Sequence, residues 1–215
     1  MTMQDISPHK SKGRPRIFDR DAALRSALDL FWRRGYEPAS IAELCSSMGI
    51  NPPSLYAAFG SKAQLFMEAV NCYEAEYWDS VWDSMALTPD FLDAMEIFFR
   101  DAAKILGGGD APCGCLVILA ATNVSAGADE VDKALQALRK EGRDLLLRRV
   151  KKAIDDGQLP KNTDAKGLSL TLNTILEGMS LAVRDGASRR DLDRVAKLAM
   201  QLVRGVASQQ DTKQA

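Results

Sequence analysis

"INPPSLYAAFGSKAQLF", residues 50–66, sets two prolines beside an asparagine and then enters an apolar, aromatic stretch. Proline inside a helix removes an amide donor and clashes with the preceding turn, yet both flanks carry helical patterning. The conflict disappears if a helix starts here. Asn51 has the short acceptor side chain of an N-cap, and Pro52 falls in the first turn, where its missing amide costs nothing. Pro53 is tolerated for the same reason, because the first four amides of a helix have no internal partner. That helix carries Ser54 to Phe59 and stops at Gly60. Ser61, with Gln64 three residues on as a capping-box partner, opens a further helix that runs to about Ser84.

The same signals extend outward. Asp19 caps a helix whose Leu24, Ala27, Leu28 and Phe31 fall at i, i+3, i+4 and i+7, and Gly35 ends it. Ser40 and Glu43 form a capping box for a short helix with Ile41, Leu44 and Cys45 on one face, which Gly49 terminates. Downstream, Thr88 caps and Pro89 opens a helix carrying Phe91, Leu92, Met95, Phe98, Phe99 and Ala102 along one side. "GGGDAP" (residues 107–112) is a loop, and "CGCLVILAATNV" (residues 113–124) is apolar all round, hence buried. Long helices follow over 129–156, 164–184 and 188–207, with a stop between Gly157 and Pro160. Period-two alternation is absent. The expected fold is all-α, with about nine helices and a module of short helices in front.

The chain has 215 residues, a net charge of -1, 46% hydrophobic and 27% charged residues, the profile of a soluble globular protein. No apolar run approaches the roughly 18 residues that span a bilayer, no signal-peptide core follows the N-terminus, and four cysteines without secretory context suit a reducing compartment. A cytoplasmic protein with no membrane partner is expected. The charge is unevenly spread: residues 1–20 hold five basic side chains against two acidic ones. A basic leader on a near-neutral body points to a polyanion. Neither a Ser-His-Asp set nor a metal-ligand spacing nor a phosphate loop is present, and the single histidine, His9, lies in the leader. An enzyme is therefore not expected, and no cofactor or metal is implied.

A supporting helix followed by helix, tight turn and helix is the helix-turn-helix order, whose second helix enters the DNA major groove. The stretch "FDRDAALRSALDLFWRRGYEPASIAELCSSMGINPPSLYAAFGSKAQLFMEAV" (residues 18–70) resembles the DNA-binding domain of the TetR family of bacterial transcriptional regulators. The likeness rests on the F-x-x-x-G-Y-x-x-x-S spacing from Phe31 to Ser40, Ile41-Ala42, Gly49-Ile50, L-Y-x-x-F from Leu55 to Phe59 and S-K-x-x-L from Ser61 to Leu65. It implies an N-terminal three-helix DNA-binding domain (residues 17–63), preceded by a basic arm (1–16). A C-terminal helical domain (64–207) for ligand binding and dimerisation would follow, with a short polar tail (208–215). It further implies a homodimeric, ligand-responsive regulator, a repressor released from double-stranded operator DNA by a small-molecule effector.

On the matching positions, Tyr56 is expected to reach a phosphate, and Lys62 sits in a first turn where amides and dipole already attract an anion. Ser40 caps its helix and can also face phosphate. Asn51 or Ser54 is placed to touch a base edge, and Pro53 or Ala57 a thymine methyl. The second helix carries no Arg or Lys to read guanine, a departure from the family's usual polarity. "KSKGRPRI" (residues 10–17) resembles an AT-hook core, so Arg14 and Arg16 are expected in a narrow A·T minor groove, with Lys10 and Lys12 on phosphates.

In the body, Tyr77, Trp78, Trp82, Phe91, Met95, Phe98, Phe99 and Cys115 are candidates to line an apolar effector pocket; plain core packing is the other reading of the same residues. Leu168, Leu172, Ile175 and Met179 on one helix and Leu192, Val195, Ala199 and Leu202 on the next are candidates for a four-helix dimer contact. An alternative function is sensing of oxidants, electrophiles or a soft metal by Cys113 and Cys115. Cys45 and Cys72 read as core.

Overall fold

A computed structural model of the chain describes residues 18–109, 111–120 and 127–208. The regular structure among these residues is helical, with no strand. The order is α1 (Arg20–Arg34), α2 (Ile41–Met48), α3 (Pro52–Phe59), α4 (Lys62–Tyr73), a π-helical segment (Glu74–Trp78), α5 (Asp79–Leu87), α6 (Phe91–Leu106), α7 (Leu116–Leu119), α8 (Asp129–Asp155), α9 (Ala165–Arg184) and α10 (Arg189–Ala207). Counting α4, the π-segment and α5 as the unbroken run they form, the described residues make nine helical pieces. None is long and apolar enough to cross a membrane.

The front module is built by its caps. Asp19, Asn51 and Ser61 each accept a hydrogen bond from a backbone amide of the turn they start, and Ser40 and Glu43 close a reciprocal capping box. The reciprocal arm expected from Gln64 to Ser61 is not made. Gly49 ends α2 in the left-handed region, φ 66°, which a side chain would disfavour. Beneath the three short helices Phe31, Leu44, Leu55, Phe59, Leu65 and Phe66 are almost fully buried.

The run after Ser61 is not a uniform helix. At Glu74–Trp78 it widens, with the Asp79 amide donating to the Glu74 carbonyl, an i→i+5 bond. In a regular helix of 3.6 residues per turn, Tyr73 and Trp78 would point to different sides. The wider turn rotates them together, and the Trp78 indole N–H donates to the Tyr73 hydroxyl at 2.7 Å in the interior.

The turn between α5 and α6 also departs from expectation. Thr88 does not cap α6; its hydroxyl donates to the Ser84 carbonyl at 2.7 Å, and Asp90 takes the cap. The end of α5 is instead closed by Arg149 of α8, 4% exposed. Its guanidinium donates to the carbonyls of Met85, Thr88 and Pro89 at 3.1–3.3 Å and lies over the Phe91 ring. Cations are favoured at a helix C-terminus, where carbonyls lack internal partners. α6 packs against α5, α9 and α10, while α8 packs along α9. Of the apolar segment 113–124, only the single turn α7 is helical among its described residues.

Replacing Arg149 with Ala would remove these bonds together with the methylene packing. Urea unfolding at fixed protomer concentration is expected to give a loss of about 3 kcal/mol, with Arg149→Lys recovering only part of it.

Candidate nucleic-acid interface and interior cavity

The helix-turn-helix sorts its side chains cleanly. On α3, Leu55 and Phe59 point into the module, while Asn51, Pro53, Tyr56 and Ala57 form an exposed outer face. Tyr56 is 48% exposed, and its hydroxyl makes no hydrogen bond among the described residues. Ser54 is half-buried, and its amide donates to the Asn51 carboxamide oxygen at 2.9 Å. Ser40 spends its hydroxyl on Glu43, at 2.8 Å. Lys62 is partly buried: its ammonium donates to the Glu37 carbonyl at 3.2 Å and lies 4.5 Å from the Tyr36 ring centre. Burial lowers its pKa from the ordinary lysine value. The N-terminal arm with Lys10, Lys12, Arg14 and Arg16 lies outside the described residues.

One strap was not foreseen. Arg20 grips Glu68 at 2.6 Å, reaches the Ala58 carbonyl and lies 4.4 Å from the Phe59 ring centre. It ties the start of α1 to α3 and α4 and fixes the angle at which α3 is presented.

In the body, a cavity of about 560 Å³ opens between the π-segment, α5, α8 and α9. Of the expected lining, Trp78, Trp82 and Cys115 stand on its wall. Tyr77 faces a separate hollow beside Trp32. Phe91, Met95, Phe98 and Phe99 do not line the cavity and are at most 1% exposed. They form the core between α6 and its neighbours, because α6 is sandwiched and its apolar face is used in packing. The cavity instead has polar members that the sequence reading passed over: Glu74, Asn173, Arg139 and Glu177. A signal for two of them existed. Glu74 occupies the apolar stripe Val70–Glu74–Trp78, and Asn173 sits beside Leu172 and Leu176 on the inward side of α9. Burial, and then the charges of Asp79 and Glu141, push the Glu74 carboxyl up to about 7.

The cysteines give no support to a sensing role. Cys115 is buried and its thiol is pushed up to about 11 by desolvation, away from the reactive thiolate. Cys113 is exposed, both are free thiols, and no cluster able to hold a metal exists among the described residues. Cys45 is buried as core, while Cys72 is half-buried.

The candidate dimer residues divide. Leu168, Leu172, Met179, Leu192 and Ala199 face inward and close the protomer's own core. Ile175 is half-buried, and only Val195 and Leu202 are outward. Both helices are apolar on two sides, and the denser stripe serves α6 and α8. The outward apolar face is Leu170 and Leu181 on α9, with Val195, Leu198 and Leu202 on α10. Gly178 lies between them on the surface with open space around it.

The front module and the cavity wall are joined. The Trp32 indole N–H of α1 donates to the Gly114 carbonyl at 2.8 Å, and the Tyr36 amide to the Ala120 carbonyl at 3.3 Å. Cys115, Val117 and Ile118, between those two anchors, line the cavity.

Comparison with known proteins agrees with this two-part arrangement. Residues 23–69 match the profile of the bacterial regulatory proteins of the tetR family, and residues 92–199 that of the tetracyclin repressor-like C-terminal domain. The HTH-type transcriptional repressor ComR of Escherichia coli (strain K12) is 31% identical over 194 residues, covering 90% of this chain and 92% of that protein. BdcR of the same organism, also an HTH-type transcriptional repressor, is 36% identical over 106 residues, 49% of this chain and 54% of its own. A cysteine-substituted form of the TetR family regulator CifR, complexed with 26-base-pair operator DNA, superposes with a TM-score of 0.83 at 39% identity, covering 88% of this chain and 98% of its own. With reading module and body both matched, and the likeness running along nearly the whole chain, this protein belongs to the TetR family of bacterial regulatory proteins.

Proposed function

We propose that this chain is a non-enzymatic, homodimeric transcriptional repressor that holds double-stranded operator DNA through α3 and releases it when a small molecule fills the α5–α8–α9 cavity. The observation that carries the reading is the outer face of α3. Asn51, Pro53, Tyr56 and Ala57 stand free on a short, capped helix whose other side is locked into the module core. The naming of ComR and BdcR as repressors and the operator-bound state of CifR support it.

DNA contact divides between two elements. α3 has no cation, so it supplies shape, a thymine-sized apolar face and few hydrogen bonds. Phosphate attraction comes from the N-terminal arm and from Lys62, with Tyr56 as a neutral donor; Ser40 keeps to its cap, its hydroxyl and amide both donating to Glu43. Two reading helices must reach successive major grooves roughly 34 Å apart, which needs a dimer. The outward stripe on α9 and α10 is self-complementary in kind, apolar with a glycine gap that lets a partner helix approach. Release works through the segment that Trp32 and Tyr36 grip: an effector that prefers one position of this wall biases α1, and with it the spacing of the two α3 helices.

Fluorescence anisotropy on the DNA upstream of its own gene, at several salt concentrations, tests the reading. Specific binding at least about a thousandfold tighter than to scrambled DNA, with a steep salt slope, is the expected result; operators chosen from random duplexes extend the test to distant sites. Equal, weak binding to every duplex would refute it.

Removing residues 1–16 is expected to lower the salt slope by about 3–4 per protomer, since each of the arm's four cations, whether on a phosphate or in the groove, neutralises about one phosphate and contributes about 0.9, with the larger loss on A·T-flanked sites. Tyr56→Phe is expected to weaken operator binding about five- to tenfold with an unchanged unfolding midpoint, the size of one lost hydrogen bond.

Leu198→Glu, on the outward stripe, is expected to give a folded monomer by sedimentation and to abolish operator binding. Leu87→Glu, at a residue 80% exposed outside that stripe, should leave the dimer intact.

A further inference from the structure

The cavity wall is lopsided in charge. Glu74 of the π-segment, Asp79 and Asp83 of α5, Glu141 of α8 and Glu177 of α9 line it, against one cation, Arg139. Arg139 is already engaged: its guanidinium donates to the Val117 carbonyl at 3.0 Å and lies 3.8 Å from Asp132. Asp79, Asp83 and Glu141 are exposed at the rim, so an approaching cation is drawn in and an anion repelled.

Deeper in, two polar groups are left over. Glu74 is half-buried, and its carboxyl has no hydrogen-bond or ion-pair partner among the described residues. Asn173, 5% exposed, lines the same space, and its carboxamide also has no partner among them. Buried polar side chains are ordinarily satisfied, so a buried carboxamide and a half-buried carboxyl that both face the cavity without a protein partner are open to a ligand. Between them the wall is apolar and aromatic. Trp82 packs beside Gly142, where even an added Cβ would meet its ring at 3.4 Å, so the indole is held in place.

Resting on the reading of this cavity as the effector site, we propose that it takes a flat organic cation. Glu74 is the counter-anion, Trp82 the stacking surface and Asn173 the hydrogen-bond partner of a polar substituent. A desolvated cation over an indole gains cation–π attraction, and ion pairing removes the cost of leaving a carboxylate unpaired.

Such binding is pH-dependent in a defined sense. With its carboxyl pushed up to about 7, Glu74 holds a proton in the empty cavity below that pH. A permanent cation favours the ionised form and expels the proton. The groups around Glu74 are Asp79, Asp83, Glu141, Arg139 and Glu177, together with Tyr73 and Cys115, whose hydroxyl and thiol are raised by burial and stay protonated near neutrality. Affinity therefore rises with pH up to about 7 and levels off above it.

The test uses the full-length protein, calorimetry and tryptophan fluorescence, with N-methylacridinium as the permanent cation and acridine as its neutral counterpart at pH 8. The expected result is a cation bound at least about tenfold more tightly than acridine, and about tenfold more weakly at pH 6 than at pH 8. Glu74→Gln should abolish that pH dependence and the cation preference while acridine still binds. Equal binding of both probes to the unaltered protein would overturn the cation proposal and leave the effector-site reading standing. Binding of neither, or binding indifferent to a cavity-filling Gly142→Phe, would overturn both.

Discussion

One buried hydrogen bond makes a single device of two modules: the Trp32 indole N–H on the Gly114 carbonyl, between residues 82 apart in sequence. An indole donor in an apolar interior must find an acceptor, and here the acceptor belongs to the stretch that walls the cavity. Gly114 can fill this role because it is glycine. At φ 82°, an added Cβ would lie 2.5 Å from the Leu119 side chain and 3.1 Å from the Ser180 carbonyl. The Ser180 hydroxyl in turn accepts from the Cys115 amide at 2.8 Å, carrying the connection to α9. Around this point Phe31, Phe66 and Tyr36 form one aromatic group, and Trp32, Tyr73 and Tyr77 another that reaches the π-segment.

Much of the fold was legible because caps are local. Asp19, Ser40, Asn51 and Ser61 each start the helix that their side chains predict, since the acceptor and the amide it satisfies are only two or three residues apart. What was not legible is non-local. The aromatic face of α6 reveals that it is buried, but whether buried side chains meet other side chains or an empty space depends on α9 and α10. Phe98 and Phe99 therefore read like Trp82 in sequence and differ in place. The same reason inverted most of the expected dimer face: Leu172 and Leu198 are both leucines on amphipathic helices, and only the packing of α6 against α10 decides which faces inward. The π-segment left no periodic trace, because a single wide turn shifts the register without breaking the apolar pattern. Thr88 is not the cap of α6 because that helix starts at Phe91, where Asp90 accepts from the Asp93 amide, while the Thr88 hydroxyl turns back to the Ser84 carbonyl.

The candidate site was legible in its outer half. Asn51, Pro53, Tyr56 and Ala57 lie on the exposed side of α3 as their spacing dictates, with Leu55 and Phe59 opposite. Lys62 was less so: its stem and ammonium are drawn toward Tyr36 and the Glu37 carbonyl, contacts made across the turn. In the cavity, the informative residues were polar ones in apolar stripes. Glu74 and Asn173 contradict their surroundings, a local conflict of the kind that accompanies functional sites.

The reading face of α3 is unusual in being made almost wholly of stiff or short side chains. Prolines and alanines have little rotamer freedom to surrender, so docking this surface on a groove would immobilise little beyond Tyr56 and Asn51. If it docks on a groove as proposed, this face discriminates as a rigid mould does, through misfit, and its tolerance of a changed base pair is set by steric fit more than by the loss of a directional bond. The same property leaves the helix open to change: Ala57 points outward, touches none of the buried module core, and a longer side chain there could acquire a new base preference without disturbing the fold that carries it.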